Sequence, residues 1–249
     1  MMWSRRRLIG SLAAAPLVTG CDRLTYSEGF RDGLRAAEGL TMAAQRLISN
    51  RSALAREFDE ADLSPVFRSN GTRHPGSPAY AAHAAAGFAD WRLRIDGLVA
   101  RPLALSMAQI RSLPARTQIT RHDCVEGWSA IGKWTGVPLK LLLDGAGASP
   151  RARYIVFHCA DDMGPVRYYE SIDMVDALHP QTILAWALNG QPLPIANGAP
   201  LRLRVERQLG YKHAKYVERI EAVASLAAIG GGKGGYWEDR GDYEWYAGI

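Results

Sequence analysis

One cysteine lies between ionisable and aromatic residues in the stretch RHDCVEGWS, which covers residues 121–129. Arg121 and His122 precede Cys124, and a Gly-Trp pair follows it. A thiolate is a soft ligand for a high-valent metal, and cationic neighbours favour the deprotonated thiol that such ligation needs. Cysteine is also among the most buried residue types, and Cys124 could pair with Cys159 in an oxidising compartment. A metal ligand, a buried free thiol and a disulfide therefore remain open at this point.

A second concentration of cations begins about 70 residues later, in the segment NGAPLRLRVERQLGYKHAK. Arg202, Lys212 and Lys215 can donate to phosphate oxygens, and Gly198 and Gly210 let backbone N–H groups approach a ligand closely. Arg202 also fits the outward, solvated face of an alternating strand, which is a common position for a strand arginine. The segment thus combines cations with glycines that allow close backbone approach.

The two segments, taken in order, resemble the molybdopterin-binding domain of the sulfite oxidase family. The first continues as RHDCVEGWSAIGKWTGVPLKLLL, and the second belongs to LHPQTILAWALNGQPLPIANGAPLRLRVERQLGYKHAKYVERIE. Within the family, the Arg-x-x-Cys-Val-Glu-x-Trp-Ser context is most similar to the catalytic subunits of bacterial periplasmic protein-methionine-sulfoxide reductases. The resemblance covers roughly residues 70–249 and implies a sulfite-oxidase-type fold with Mo-molybdopterin as cofactor. It also implies that the thiolate of Cys124 is the protein's ligand to molybdenum.

The resemblance further implies which residues contact the cofactor and the substrate. Cys159 takes the place of a threonine that contacts the pterin, which makes it a cofactor neighbour rather than a disulfide partner. Arg121 and His122 can stabilise an oxyanion that develops on the substrate, and Tyr243 in the aromatic C-terminal segment can relay a proton. That segment could equally pack the edge of a sheet. The implied cofactor contacts are Asn70, Thr72, Cys124, Cys159, Asn197, Arg202, His213, Ala214 and Lys215.

The activity implied by the resemblance is two-electron oxygen-atom transfer on a small or protein-borne sulfur compound. Two directions remain open, namely reduction of an S-oxide and oxidation of sulfite. The sequence contains no CxxCH haem motif, so the electrons would be exchanged with a separate redox partner, for which a membrane haem protein is a candidate. The alternative is a non-catalytic periplasmic binding lipoprotein that keeps the fold without the cofactor. It predicts decay of the cysteine or of the cation cluster, and both are intact.

The first 21 residues, MMWSRRRLIGSLAAAPLVTGC, combine an arginine cluster, an apolar run too short to span a bilayer, and small residues. This pattern predicts an export signal over residues 1–20 and a periplasmic protein. The arginines fit the twin-arginine pattern, and the residues before Cys21 fit a lipobox, which predicts a lipidated cysteine and membrane contact. An ordinary secretion signal with a chance cysteine is the alternative. Removing the signal lowers the formal charge from +5 to +2, so the basic composition does not indicate a nucleic-acid partner.

The remaining pattern predicts how the site is positioned. Helical periodicity over residues 26–61 indicates a helical linker, assigned to residues 21–68, which is either a spacer that docks a partner or a helix packed on the domain. Residues 70–87 are rich in Gly, Pro and Ala and predict a loop. Alternating strands with a few short helices then predict one α+β domain over residues 69–249, built of antiparallel or mixed sheets.

Overall fold

The computed structural model describes residues 27–249, without the side chain of Arg35. The predicted export signal and the predicted lipid anchor on Cys21 lie outside the described residues. The chain divides into two units between Ile48 and Ser49. In the first unit the structure describes one amphipathic helix, α1 (Glu28–Ile48), whose large apolar side chains are exposed. Among the helices of residues 27–249, none is both long enough and apolar enough to cross a membrane.

The second unit contains the helices α2 to α6 and the strands β1 to β10. The helices are α2 (Pro78–Ala85), α3 (Met107–Ser112), α4 (Leu139–Ala146), α5 (Met174–Ala177) and α6 (Tyr236–Gly241). The strands are β1 (Arg92–Gly97), β2 (Leu103–Ser106), β3 (Arg116–Asp123), β4 (Ser129–Pro138), β5 (Tyr154–Asp162), β6 (Arg167–Asp173), β7 (Ile183–Leu188), β8 (Gln191–Pro192), β9 (Arg202–Arg204) and β10 (Val217–Val223). Short 3-10 turns cover Glu60–Asp62, Ile195–Asn197 and Gly210–Lys212.

The strands form two sheets. One has the order β2-β1-β10-β5-β6, in which β1 and β10 are parallel and the other pairs are antiparallel. The other has the order β3-β4-β7-β8, and β9 pairs with β7 in antiparallel fashion. This confirms the predicted α+β class with antiparallel and mixed sheets and short helices. The alternating pattern of β1 is confirmed as well, because Leu93 and Ile95 are fully buried between exposed arginines.

The helices α2 and α3 differ in how well the sequence predicts where they begin. Ser106 caps α3 as predicted, since its hydroxyl accepts from the backbone N–H of Gln109 at 3.2 Å. The prediction of an unbroken loop over residues 70–87 is wrong in its second half, where α2 begins after Ser77. The Ser77 hydroxyl accepts from the backbone N–H of Tyr80, and Pro78 occupies the first helical turn, where it costs no hydrogen bond.

Residues 49–68 lie in the second unit, although the sequence placed them in the linker. The backbone N–H of Phe58 donates to the carbonyl of Ile119 at 2.9 Å, and Glu57 forms a bridge with Thr120. The side chain of Gln181 bonds both backbone groups of Ala55. These contacts pair the segment with the edge strand β3, and a local periodicity pattern cannot reveal such pairing.

Candidate functional site

A partly open cavity of about 140 Å³ lies where the turn after β3, the loop at residues 70–72 and the segment 210–215 meet. Its wall brings together several residues that the sequence proposed for the site, although they come from distant parts of the chain. Those residues are Asn70, Thr72, Cys124, His213, Lys215 and Tyr243. The other lining residues are Gly71, Val125, Glu126, Asp161, Met163, Tyr168, Gly210, Tyr211 and Trp237.

Cys124 lies in the turn that joins β3 to β4. Its backbone N–H donates to the carbonyl of Trp128 at 2.9 Å, and its carbonyl accepts from Gly127 at 3.0 Å. The residue is 7 % exposed, and both Cys124 and Cys159 are free thiols, so the disulfide alternative is not realised. Burial raises the pKa of the Cys124 thiol. The backbone N–H of Glu126 and the charge of Arg202 lower this pKa, but the effect of burial is larger. A cationic ligand is therefore needed to hold the thiolate at neutral pH.

Arg202, on β9, is fully buried, which removes the solvated-face interpretation. Its Nη1 donates to the carbonyl of Asn197 at 3.1 Å and its Nη2 to Oδ1 of Asn70 at 3.2 Å. Burial, followed by the charge of Arg204, lowers the pKa of Arg202 to about 9. No carboxylate is hydrogen-bonded to this guanidinium among the described residues, so its charge is available to an anion.

Lys215 is held beside it by backbone carbonyls. Its Nζ donates to the carbonyls of Asn70 at 2.7 Å, of Ala196 at 3.1 Å and of Thr72. Burial and the charge of Arg202 lower the pKa of Lys215 to about 7. Gly198 permits this packing, because a Cβ at its position would lie 2.9 Å from the side chain of Lys215. The loop at residues 70–72 is thus fixed to the cation cluster.

Among the described residues, four buried polar atoms without a partner belong to residues that line the cavity or were proposed as cofactor contacts; two of these residues, Asn197 and Arg202, do not line the cavity itself. Two are donors, Nδ2 of Asn197 and Nε of Arg202. Two are acceptors, Oδ1 of Asp161 and Nδ1 of His213, whose Nε2 faces the carbonyl of Gln208 at 3.0 Å. Buried polar atoms normally have partners, so such a set indicates a ligand with both kinds of group. A molybdopterin carries phosphate acceptors and pyrimidine N–H donors, and it fits this donor and acceptor set.

Two proposed catalytic residues do not reach the cavity wall. Arg121 is largely exposed, pairs with Asp123 at 2.9 Å, and lines a different cavity. His122 is buried, and its Nδ1 lies 3.0 Å from Nη1 of Arg204. Burial, with His213 and nearby cations, keeps the pKa of His122 well below its usual value, so the ring is neutral. The structure therefore gives neither residue the cationic contact with substrate that the sequence suggested.

Cys159 and Ala214 contribute in other ways than expected. Cys159, on β5, is fully buried in the hydrophobic core and does not line the cavity. Asp161, two residues later on the same strand, does line it, and burial raises the pKa of Asp161 to about 6. Ala214 is buried, and its carbonyl accepts from the backbone N–H of Leu203 at 2.8 Å. The sequence signal for Asp161 was an acidic residue at the end of a buried strand.

Two further cations have buried partners that the sequence did not reveal. Lys212, which was expected to face a phosphate, donates to Glu170 at 2.5 Å and to Glu238 at 2.7 Å. Arg204 pairs with Glu206 at 2.5 Å. All five side chains are 0–1 % exposed, so these are internal charge networks. Removing Lys212 from the expected phosphate site leaves Arg202 and Lys215 as its cations.

One part of the cavity wall, called the mouth below, is aromatic and apolar. Trp237 and Tyr243 stack with ring centroids 5.7 Å apart, and Tyr243 meets Tyr211 edge to face at 5.0 Å. Val125 and Met163 complete this part of the wall. Tyr236 and Trp245, two other aromatic residues of the C-terminal segment, do not line the cavity. Tyr236 packs on Tyr168, and Nε1 of Trp245 donates to the hydroxyl of Ser171 at 2.8 Å.

Comparison with known proteins gives the same picture. Residues 80–227 match the family described as oxidoreductase molybdopterin binding domain. The chain is 39 % identical over 238 residues to an Azospira oryzae protein provisionally named as the protein-methionine-sulfoxide reductase subunit YedZ1, with 96 % of this chain and 84 % of that protein covered. It is 37 % identical over 147 residues to the protein-methionine-sulfoxide reductase catalytic subunit of Xanthomonas campestris, covering 55 % of this chain and 46 % of that one.

One solved structure is also similar. The crystal structure of the sulfane dehydrogenase SoxCD from Paracoccus pantotrophus superposes with a TM-score of 0.51 and 26 % sequence identity. The superposition covers 55 % of this chain and 39 % of that chain. The larger part of the SoxCD chain is therefore unmatched.

Proposed function

The chain belongs to the oxidoreductase molybdopterin-binding domain family, and from that premise we propose that it reduces the S-oxide of methionine to the thioether. The resemblance to the sulfite oxidase family is thereby confirmed, and the protein is a molybdenum-dependent oxidoreductase with a molybdopterin cofactor. The observation that carries the proposed direction is the aromatic mouth beside Cys124, which has no cation among its residues. The names of the relatives support the same substrate class.

The charge of the cavity wall favours a neutral substrate over sulfite. Among the described lining residues Lys215 is the one cation, and its ammonium group is already bonded to three carbonyls. Glu126, at the mouth, is acidic, and its carboxylate accepts from Nε1 of Trp128 at 3.0 Å. An anion needs unpaired donors or cations to replace its water, whereas a sulfoxide needs one donor and apolar contacts for its carbon substituents. The mouth therefore suits the carbon substituents of a sulfoxide better than it suits an anion.

The residues around the cavity divide into a cofactor side and a substrate side. We assign the phosphate and pterin contacts to Asn197, Arg202, Asp161 and His213, because these supply buried donors and acceptors without a partner, and to Lys215, because it adds a positive charge beside them. When bound, the cofactor supplies the two electrons and the metal centre that accepts oxygen. Cys124 provides the thiolate ligand to that metal.

The stacked rings of Trp237 and Tyr243 form the substrate side of the proposed site. A methionine sulfoxide has a methyl group and a methylene chain on sulfur, and aromatic faces bury such groups well. Tyr243 is half-buried at the mouth, where it can contact a side chain that enters from solvent. We therefore propose for Tyr243 a role in holding the substrate, which includes methionine sulfoxide borne by a polypeptide.

The proposed reaction can be tested against its reverse alternative in one experiment. Holoprotein from a molybdate-fed host is assayed with reduced viologen and methionine sulfoxide, and separately with sulfite and an artificial acceptor. We expect kcat/KM for the sulfoxide to exceed that for sulfite by at least about 100-fold, which corresponds to about 2.7 kcal/mol of discrimination. Turnover of sulfite without reduction of the sulfoxide would overturn the proposal, and protein without molybdenum serves as the inactive control.

We also propose that the enzyme works in the periplasm beside a membrane. The lipobox predicts an acylated Cys21, and α1 begins seven residues later with an exposed apolar side. Phe30, Leu34 and Leu40 on that helix are between 42 % and 73 % exposed. The sequence supplies no haem site, so a separate one-electron donor is needed, and a membrane haem protein suits an anchored enzyme. The twin-arginine signal fits export of a protein that is folded around its cofactor.

The lipid anchor predicts a specific loss on mutation. Cys21→Ala should release the exported protein from the membrane fraction and abolish incorporation of a labelled fatty acid, because one thiol carries the lipid. Fractionation and labelling of the wild type and the variant measure this. Cys159→Ala is the matched control and should keep both label and location. A wild-type protein that is unlabelled and recovered in the soluble fraction would contradict the anchor.

A further inference from the structure

A buried acid and base cluster lies directly behind the cavity wall, on the side of Tyr168. Lys212 donates to Glu170 at 2.5 Å and to Glu238 at 2.7 Å, and each of the three side chains is 0–1 % exposed. Glu170 comes from β6, Lys212 from the turn after β9, and Glu238 from α6. The cluster holds two carboxyl groups for one ammonium group. With both carboxyl groups ionised it would bury one uncompensated negative charge, which is costly in a water-free interior.

A proton on one carboxyl group removes that excess charge. Burial, followed by the charge of Glu238, holds the pKa of Glu170 well above its usual value, against the opposing charge of Lys212. The surroundings of Glu170 therefore favour its protonated form. The other titratable groups near Glu170 are Tyr168, which contacts it, and Asp161 and Cys159, which lie near Tyr168.

Tyr168 connects this cluster to the cavity. Tyr168 lines the cavity, and its hydroxyl donates to the carbonyl of Tyr211 at 2.8 Å. The same hydroxyl lies 3.5 Å from Oε2 of Glu170, a long contact of the kind that often tightens when a substrate binds. Burial also holds the pKa of Tyr168 well above its usual value, so the hydroxyl keeps its proton at rest.

We propose that Glu170 and Tyr168 form a proton relay that feeds the cavity from the buried cluster. This inference rests on the proposed reduction of an S-oxide, which breaks one S–O bond and consumes two electrons and two protons to give a thioether and water. The electrons come from a one-electron donor protein. Tyr168 passes its hydroxyl proton toward the departing oxygen, and Glu170 replaces it. Glu170 then regains a proton from solvent, and a second exchange of the same kind completes the water molecule.

The relay explains why two acids are buried around a single lysine. An ion pair with Lys212 needs only one carboxylate. A group that donates and regains a proton must be neutral before the reaction and ionised only during it. Lys212 stabilises the ionised form during that interval. The sequence had assigned the proton transfer to Tyr243, but that ring stacks on Trp237 and has no buried acid among its described contacts.

The test uses holoenzyme with Glu170→Gln and with Tyr168→Phe, assayed with reduced viologen and methionine sulfoxide between pH 6 and pH 9. We expect kcat to fall by about 100-fold in each variant, since positioned proton transfer typically contributes 10²–10⁴-fold. The wild-type rate should be flat over this range, whereas the variants should lose rate about tenfold per pH unit because protons then come from solvent. The matched control Tyr169→Phe, whose hydroxyl bonds Asp239 outside the cavity, should keep the wild-type profile.

Infrared spectroscopy gives a readout that does not depend on turnover. At pH 8 the wild-type protein, with or without cofactor, should show the C=O band of one protonated carboxyl group, because Asp161 is ionised there. Glu170→Gln should remove the band. A missing band in the wild type, or a Glu170→Gln enzyme with wild-type rate and a flat profile, overturns the relay. If the wild type reduces no sulfoxide, the proposed function is wrong. The infrared band then still shows whether Glu170 is protonated.

Discussion

Cys124→Ala should abolish turnover while leaving the pterin bound. We expect kcat to fall by at least about 10³-fold, equivalent to about 4 kcal/mol of lost transition-state stabilisation, because the variant lacks the thiolate ligand to molybdenum. Other residues, chiefly Arg202 and Lys215, bind the cofactor. Pterin fluorescence, metal content and the rate of sulfoxide reduction, measured on the same sample, separate loss of the ligand from loss of the cofactor.

Cys159→Ala is the matched control for this prediction. Cys159 is a buried free thiol like Cys124, but it lies in the core and off the cavity wall. Its replacement should cost about 1 kcal/mol in the free energy of unfolding, as for a small core truncation, and leave kcat within about tenfold of the wild type. A Cys124→Ala enzyme that keeps its activity, or a Cys159→Ala enzyme that loses it, would contradict the assignment of the metal ligand.

Much of the site could be anticipated from the sequence because the chemistry lies in short motifs. Cys124, the loop residues Asn70 and Thr72, and Lys215 all reach the same cavity, as the resemblance implied. Lys215 and Asn70 are 145 residues apart and meet because the ammonium group of Lys215 donates to the backbone carbonyl of Asn70. A family motif carries this long-range information, whereas composition and periodicity do not.

What the sequence could not reveal depends on tertiary partners. Lys212 and Arg202 look alike in the segment NGAPLRLRVERQLGYKHAK, yet Lys212 is neutralised by Glu238 on α6, which comes 26 residues later. The alternating pattern around β9 predicts an outward arginine, but Arg202 and Arg204 are both fully buried. Asp161 reaches the cavity near an irregularity in the pairing of β5 with β6 between His158 and Asp162. No local pattern identifies a bulge or a distant ion pair.

Arg202→Met should weaken cofactor binding, whereas Arg204→Met should lower the free energy of unfolding. The two effects should differ although both arginines are fully buried on β9. Arg204 has a carboxylate partner in Glu206, and its removal leaves a buried, uncompensated charge. That loss should lower the free energy of unfolding of the cofactor-free protein by about 3–5 kcal/mol. Arg202 bonds only neutral acceptors in the described structure, and its charge is itself disfavoured there, as its pKa of about 9 shows.

Cofactor-free Arg202→Met should therefore stay within about 1 kcal/mol of the wild type, because the lost hydrogen bonds are offset by removal of a buried charge. Its affinity for the cofactor should fall by about 100- to 4,000-fold, since truncating one partner of a buried charge pair costs about 3–5 kcal/mol and each 1.4 kcal/mol is tenfold. Urea unfolding of protein from a host without molybdopterin gives the first quantity, and pterin retained after gel filtration gives the second. Arg202→Met protein that unfolds like Arg204→Met, or that retains its pterin, would show that Arg202 supports the fold instead of the phosphate.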